Sequence, residues 1–108
     1  MVKQANLLMN TIQAITKILK AEGVNFITCF PSNPLIEELA KANIRPVMFR
    51  QERGALMAAD GFSRISDRKS FGVALTQSGP GAENSMGGVA QAFSDNVPIL
   101  YLPAGPRL

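Results

Sequence analysis

Three short segments carry the residue types that could do chemistry. The first is a proline-containing loop at residues 30–33, the second places Glu52 at the start of a helix pattern, and the third is a glycine-proline turn at 78–81, followed by Asn84. Two glycines around a proline make a rigid turn whose backbone can approach a flat ligand closely. The chain has no histidine and one cysteine, Cys29, which excludes a Ser-His-Asp triad, a His-ligated metal and an intramolecular disulfide. Catalysis here must therefore come from carboxylates, backbone groups or a cofactor.

Each of these segments also has a purely structural interpretation. An acidic residue in the first turn of a helix gains about 0.3–1 kcal/mol from the helix dipole, and this alone could explain Glu52. A glycine-proline turn is a common connection between a strand and a helix, and Pro31 could simply shape its loop. The sequence by itself leaves both interpretations open.

A dinucleotide site at the glycine-proline turn is disfavoured. Gly79 and Gly81 follow a strand pattern, as a dinucleotide fingerprint requires, but Asn84 stands where the third glycine belongs. The next strand pattern, residues 97–102, does not end in the acidic residue that ribose recognition needs.

Composition and charge exclude several classes of protein. The chain has 108 residues, of which 46% are hydrophobic and 18% charged, which is typical of one globular domain and not of a disordered segment. The net charge is +3, and the longest basic cluster, residues 64–69, has an acid inside it and no stacking aromatics, so no nucleic-acid partner is expected. No apolar run approaches the roughly 20 residues of a membrane span, and the first 23 residues do not resemble a signal peptide. We expect no membrane association and a cytoplasmic location.

Helix and strand patterns alternate along the chain. Helices are predicted at 4–22, from 32–34 to 43, at 52–65 and at 82–94, and strands at 24–30, 45–49, 70–76 and 97–102. This alternation predicts an α/β fold in three layers, α/β/α, in which helices cover both faces of a parallel sheet. Ligands of such sheets bind at the carboxyl ends of the strands. The three segments above are expected to meet there.

Two stretches of the sequence match motifs that are more specific than the alternation of helices and strands. Residues 50–64 resemble the E-x-x-A-x-x-A-A-x-G-x-[AS]-R segment of thiamine-diphosphate-dependent enzymes. Residues 78–84, with the later Gly88, Ala92, Asp95 and Pro98, resemble the S-G-P-G-x-x-N…D-x-x-P segment of the acetolactate synthase-like branch. The resemblance runs from about residue 4 to the C-terminus. It implies that residues 1–108 are part of a pyrimidine-binding domain, with four of the six strands of that domain, in the order 2-1-3-4.

The resemblance also implies a cofactor and a site. Glu52 would be the catalytic carboxylate that hydrogen-bonds N1′ of the aminopyrimidine of thiamine diphosphate, and Pro31, Pro80 and Asn84 would line the pocket. The family's G-D-G…N motif, which holds Mg²⁺ and the diphosphate, belongs to a separate domain and does not occur here. No residue of this chain is therefore expected to bind metal. The chain is expected to be inactive alone and to need a diphosphate-binding domain as its partner.

Several functional alternatives stay open. The leading hypothesis is a fragment of an acetolactate synthase-like 2-oxo acid decarboxylase or carboligase. The others are the small subunit of a two-chain thiamine-diphosphate-dependent decarboxylase and a non-enzymatic α/β interaction module. Residues 103–105 lack the Gly-Gln pair usual in acetolactate synthases, and Ser-Asn replaces Gly-Gly at 32–33, so other products fit as well as acetolactate. The apolar strand at 97–102 would form an edge of the sheet, which predicts a homo-oligomer or poor solubility.

Overall fold

The computed structural model describes residues 8–106. In chain order the helices and strands are α1 (Thr11–Ala21), β1 (Phe26–Cys29), α2 (Leu35–Lys41), β2 (Arg45–Met48), α3 (Glu52–Ile65), β3 (Gly72–Thr76), α4 (Pro80–Asn84), α5 (Met86–Ser94) and β4 (Ile99–Pro103). The predicted alternation of strands and helices is confirmed.

The four strands form one parallel sheet in the order β2-β1-β3-β4, as expected. Side chains of β3 alternate between its two faces. Val73 and Leu75 join a core with α1 and α2 that includes Leu19 and Leu39, whereas Ala74 packs with α3 on the other face. A strand that buries both faces needs apolar residues at every position, which explains why the predicted pattern is continuous rather than alternating. The sheet therefore has a helical layer on each side, and the three-layer prediction is confirmed.

The first helix begins later than predicted. It starts at Thr11, because Asn10 accepts a hydrogen bond from the backbone of Gln13 at 2.8 Å while the Gln13 side chain accepts one from the backbone of Asn10 at 3.1 Å. This reciprocal arrangement defines a helix start. Leu8 falls within the predicted helix at 4–22, where its spacing from Ile12 would place it on the apolar face, but it is 80% exposed and precedes the helix, so the predicted start is wrong. The rest of the predicted extension, residues 4–7, lies outside the described residues.

The fourth predicted helix is divided in two. Pro80 begins the short α4, because the fixed φ of proline suits the first helical turn. Helix α5 begins only at Met86. Ser85 lies at the break, where its hydroxyl donates to the carbonyl of Gly81 at 2.7 Å. The single helix predicted for 82–94 was therefore wrong in its start and in its continuity.

Helix α3 is tied at its carboxyl end to the end of α5. Asp60 is almost fully buried and pairs with Arg64, whose guanidinium also donates to Asp95 at 2.7 Å. Hydrogen bonds from Arg64 to both carboxylates raise the pKa of its guanidinium. This bridge lies at the end of α3 remote from Glu52, and it fixes the direction in which the helix runs.

Strand β4 forms one edge of the sheet. Its residues from Ile99 to Leu102 are only partly buried, and their apolar character fits the predicted apolar edge. Over residues 8–106, no helix combines the length and the apolar character needed to cross a membrane.

Burial gives Cys29 a testable property. Its side chain lies fully buried in β1, where burial raises the pKa of the thiol from 9.0 to about 11. The folded protein should therefore resist alkylation by iodoacetamide at pH 8 and react only after urea unfolds it. The contribution of the neutral thiol to stability is present below pH 9 and is lost as the pH rises toward 11. Mass spectrometry of the alkylated product is the measurement, and rapid labelling of the folded protein would contradict the burial.

Candidate functional site

The carboxyl ends of the strands bring the start of α3 and the turn after β3 together. Gln51 precedes α3 in an extended conformation, and the first helical residue, Glu52, points its carboxylate inward, where the residue is only 7% exposed. A buried carboxylate at a helix N-terminus is stabilised by the helix dipole but has lost most of its water. It therefore needs a hydrogen-bonding partner.

Asn84 supplies that partner. Its amide Nδ2 lies 3.4 Å from Oε2 of Glu52, the only side-chain hydrogen bond that this carboxylate accepts within residues 8–106. At 3.4 Å the bond is long. A carboxylate has about four acceptor positions, so Glu52 keeps most of its capacity for another donor.

A depression of about 430 Å³ opens beside this pair. Its lining residues come from the start of α3 and from α4 with the first turn of α5, and they are Gln51, Glu52, Arg53, Glu83, Asn84 and Gly87. The structure thus brings Glu52 and Asn84 together, as the sequence predicts. Their roles stay predictions.

The turn at 78–81 lies beside the carboxylate with no side chain of Gly81 between them. A Cβ on Gly81 would lie 3.6 Å from Oε1 of Glu52 and 3.0 Å from Cβ of Gln77, so only glycine fits here without displacement. Gly79 has a φ of +60°, a conformation that side chains disfavour. Glycine is therefore favoured at 79 by the backbone conformation and at 81 by the lack of room for a Cβ. At position 81 the absence of a side chain leaves space in front of Glu52.

The two prolines of the predicted pocket lie differently from Glu52 and Asn84. Pro31 is exposed in the loop between β1 and α2, and Pro80 is exposed at the start of α4. Neither lines the depression beside Glu52. Their part in binding stays a prediction.

A buried threonine holds the first turn of α3 in place. The hydroxyl of Thr28, in β1, donates to the carbonyl of Ala55 at 2.7 Å. This bond joins the helix that begins with Glu52 to the central strand of the sheet. The position of the carboxylate thus depends on a strand residue that the sequence pattern did not single out.

Asn33 is the residue at this edge whose importance the sequence reasoning missed. It is 7% exposed, and its Nδ2 donates to the carbonyls of Thr76 and Leu102, both at 3.0 Å. Its Oδ1 accepts from the backbone of Leu35, also at 3.0 Å. The sequence indicated only a helix start, and the bonds to β3 and β4 join residues more than 40 positions apart, which no local pattern can reveal.

Replacing Asn33 with alanine should lower the free energy of unfolding by about 2 kcal/mol, because two strand-end carbonyls and one backbone amide lose a buried partner. Urea denaturation followed by circular dichroism measures the change. Ser32→Ala is the matched control, since Ser32 is exposed in the same loop, and it should be nearly neutral. Equal stability of both variants would show that the loop is not held by Asn33.

The donor set at this edge suits an organic base better than a metal ion. Among residues 8–106, no group of three acidic, cysteine or histidine side chains could hold a metal. One buried carboxylate, one side-chain amide and an exposed turn backbone match instead a flat heterocycle with ring nitrogens and an amino group. The residues present therefore fit an aminopyrimidine.

A known family matches most of the chain. The family described as thiamine pyrophosphate enzyme, N-terminal TPP binding domain, matches residues 9–108. The described site residues Glu52 and Asn84 lie inside the matched region.

Individual relatives agree as well. The chain is 35% identical over 97 residues to the acetolactate synthase isozyme 2 large subunit of Escherichia coli, covering 87% of this chain and 17% of that protein. It is 38% identical over 97 residues to a probable acetolactate synthase large subunit of Methanocaldococcus jannaschii, covering 87% of this chain and 16% of that protein. The crystal structure of benzoylformate decarboxylase from Polynucleobacter necessarius superposes with a TM-score of 0.71 at 26% identity, over 89% of this chain and 18% of that one. The chain thus spans less than a fifth of the length of each relative.

Fold and sequence similarity converge on one assignment. The chain belongs to the thiamine pyrophosphate enzymes and corresponds to their N-terminal TPP-binding domain, in its acetolactate synthase-like form.

Proposed function

We propose that residues 1–108 supply the aminopyrimidine side of a thiamine diphosphate site, with Glu52 as the catalytic carboxylate. The observation that carries this proposal is the buried carboxylate of Glu52, whose one side-chain partner is the amide of Asn84, beside a turn that leaves space in front of it. A bound aminopyrimidine would meet the acceptor capacity that Glu52 retains.

Thiamine diphosphate, when bound, supplies the carbanion that attacks a carbonyl carbon, and the protein supplies orientation and electrostatics. Glu52 would hold or share a proton with a ring nitrogen of the pyrimidine. Asn84 would orient the carboxylate through its Nδ2, and the turn at 78–81 would face the ring with its backbone. Pro31 and Pro80 would border the ring from two different loops.

The reaction class follows from the named relatives. The acetolactate synthase and the benzoylformate decarboxylase named above are called after a 2-oxo acid substrate or the product of one. We therefore propose that this chain serves a 2-oxo acid decarboxylase or carboligase. By the family resemblance alone, the proposal extends to Mg²⁺ and the diphosphate held by another domain, to an oligomeric enzyme and to the cytoplasm.

The proposal includes a partner domain, because the relatives are several times longer than this chain. Its described residues offer a carboxylate, an amide and a turn but no cation site, so the diphosphate would need residues from elsewhere. We propose that a diphosphate-binding domain, on this polypeptide or on a second one, completes the site. Purification from the native source distinguishes the two arrangements by the number of polypeptides that carry the complete site.

Calorimetric titration tests the proposed site in the enzyme that contains residues 1–108 together with its diphosphate-binding domain. Thiamine diphosphate should bind in the presence of Mg²⁺. An analogue in which a phenyl ring replaces the pyrimidine should bind at least tenfold more weakly, because Glu52 then lacks a hydrogen-bonding partner. Equal affinity for both compounds would overturn the assignment of this edge to the pyrimidine.

A further inference from the structure

We infer that Tyr101 is a positioning residue for the turn and short helix that carry Pro80 and Asn84, and that it acts through the hydroxyl of Ser85. The inference rests on the proposed function, since it concerns the same site. Tyr101 is the middle residue of β4 and does not line the depression beside Glu52.

Three hydroxyl groups form a continuous chain from β3 to the turn. Oγ1 of Thr76 lies 2.6 Å from Oη of Tyr101, which lies 2.9 Å from Oγ of Ser85. Oγ of Ser85 in turn lies 2.7 Å from the carbonyl oxygen of Gly81. This series of hydroxyls thus begins at the last residue of β3, passes through the middle residue of the neighbouring β4, and ends on the backbone of the turn.

The direction of these hydrogen bonds follows from the number of protons. The carbonyl of Gly81 can only accept, so Ser85 donates its one proton to it. Ser85 must then accept from Tyr101, which uses the phenolic proton, and Tyr101 in turn accepts from Thr76. Ser85 and Tyr101 each donate once and accept once, whereas Thr76 has the carbonyl of Gln77 as a second, longer acceptor at 3.2 Å. Hydrogen bonds in such a series strengthen one another in a buried setting.

Burial increases the effect of losing a hydroxyl from this hydrogen-bonded series. The side chains of Thr76 and Ser85 are fully buried, so water cannot replace a lost partner. Removing the phenolic hydroxyl would take one hydrogen bond from each neighbour: Ser85 would lose its donor and keep only its bond to Gly81, and Thr76 would keep only the longer bond to Gln77.

Helix α4 depends on such bonds for its position. It has only five residues, too few to be stable by its own backbone hydrogen bonds. It ends at Asn84 and α5 begins at Met86, so Ser85, the residue that the hydroxyl chain holds, lies between the two helices. The side-chain bond from Ser85 to Gly81 therefore fixes the turn of chain that α4 occupies.

The position of α4 affects the surroundings of Glu52 in two ways. The series of hydroxyls ends on Gly81, which lies beside the carboxylate of Glu52. Ser85 directly follows Asn84, and the side chain of Asn84 donates to the carboxylate of Glu52. A small shift of α4 would lengthen the contact between Asn84 and Glu52, already 3.4 Å. Tyr101 thus controls the geometry of the pocket from outside it.

The test compares Tyr101→Phe, Ser85→Ala and the double variant in the complete enzyme. Two properties are measured: the dissociation constant for thiamine diphosphate with Mg²⁺, and hydrogen–deuterium exchange of the backbone at 78–85 without cofactor. Each single variant should bind about tenfold more weakly and exchange this segment faster, while α3 keeps its protection. The double variant should be no worse than Ser85→Ala, because Tyr101 acts through Ser85.

Ser63→Ala is the matched control. Ser63 is also a fully buried hydroxyl, with bonds to the carbonyls of Ala59 and Pro98 and from the amide of Gly72, but it lies near the amino ends of β3 and β4. It should lower overall stability without selectively loosening residues 78–85 or weakening the cofactor relative to the folded fraction.

The outcomes separate this inference from the proposed function. If the unchanged enzyme does not bind thiamine diphosphate, the proposed function fails. If it binds and Tyr101→Phe changes neither affinity nor exchange at 78–85, the positioning role fails alone. Effects of Tyr101→Phe and Ser85→Ala that add in full would also overturn it, since they would be independent.

Discussion

Replacing Glu52 with glutamine is expected to slow exchange of the C2 proton of bound thiamine diphosphate by about 10²- to 10⁴-fold, the range that a positioned acid–base group contributes. Glutamine keeps the length and shape of the side chain and its contact with Asn84, but it cannot hold or share a proton with a ring nitrogen. Proton exchange measured by nuclear magnetic resonance in the complete enzyme reports this step directly. Cofactor affinity should change much less than the exchange rate.

Glu83 provides the matched control for this experiment. It lines the same depression but is exposed, so Glu83→Gln removes an equal charge nearby without touching the buried carboxylate. Its exchange rate should stay within about twofold of the unchanged enzyme, since an exposed charge is well screened by solvent. An unchanged rate in Glu52→Gln, or an equal loss in both variants, would exclude a specific role for Glu52.

Replacing Gly72 with alanine is expected to be the most destabilising of the changes considered for this chain, at about 3 kcal/mol, the upper range for overpacking a core. An added Cβ would lie 2.2 Å from the carbonyl oxygen and 2.5 Å from Cα of Ala59. Because both atoms belong to the backbone of α3, no side chain can move aside. The helix would have to lift from β3, and with it the layer that carries Glu52. The free energy of unfolding in urea measures the loss.

Gly61→Ala is the control for this second prediction. Gly61 lies in α3, two residues from Ala59, and an added Cβ there meets nothing within 4 Å. Alanine should therefore be neutral or stabilise the helix by up to about 1 kcal/mol, through its better helix propensity. Similar stabilities of the two variants would mean that α3 does not approach β3 as closely at Gly72 as the structure has it.

The sequence predicted the elements better than their ends. A strand such as β3 is recognised by a continuous run of apolar residues, because both of its faces are buried. Helix α3 is recognised by apolar residues at the helical period, because only one of its faces is buried. The start of α1 was missed because Leu8 continues the helical period, whereas the side chains of Asn10 and Gln13 cap the helix later. The break at Ser85 was missed because α4 and α5 together keep a plausible helical pattern, and the hydroxyl bond to Gly81 has no signature in sequence.

The candidate site divides in the same way. Glu52 and Asn84 could be named in advance, because their residue types and their places after parallel strands match a known family pattern. Asn33, Thr28 and Tyr101 could not, since each acts on a carbonyl or hydroxyl far away in the chain. Their residue types are common at surfaces and in strands. Their roles can be recognised only once the order of the strands in the sheet is known.

What the sequence by itself determined is the α/β class, the family resemblance and the identity of the acid at the start of α3, because periodicity and residue type are local properties. Only the tertiary structure decided that the amide of Asn84 reaches Glu52, that Gly72 lets α3 lie directly on β3, and that a chain of hydroxyls from Tyr101 holds the turn at Gly81. Each of these is a contact between segments distant in sequence. Their distances follow from the order and spacing of the strands, which parallel pairing and close packing set together.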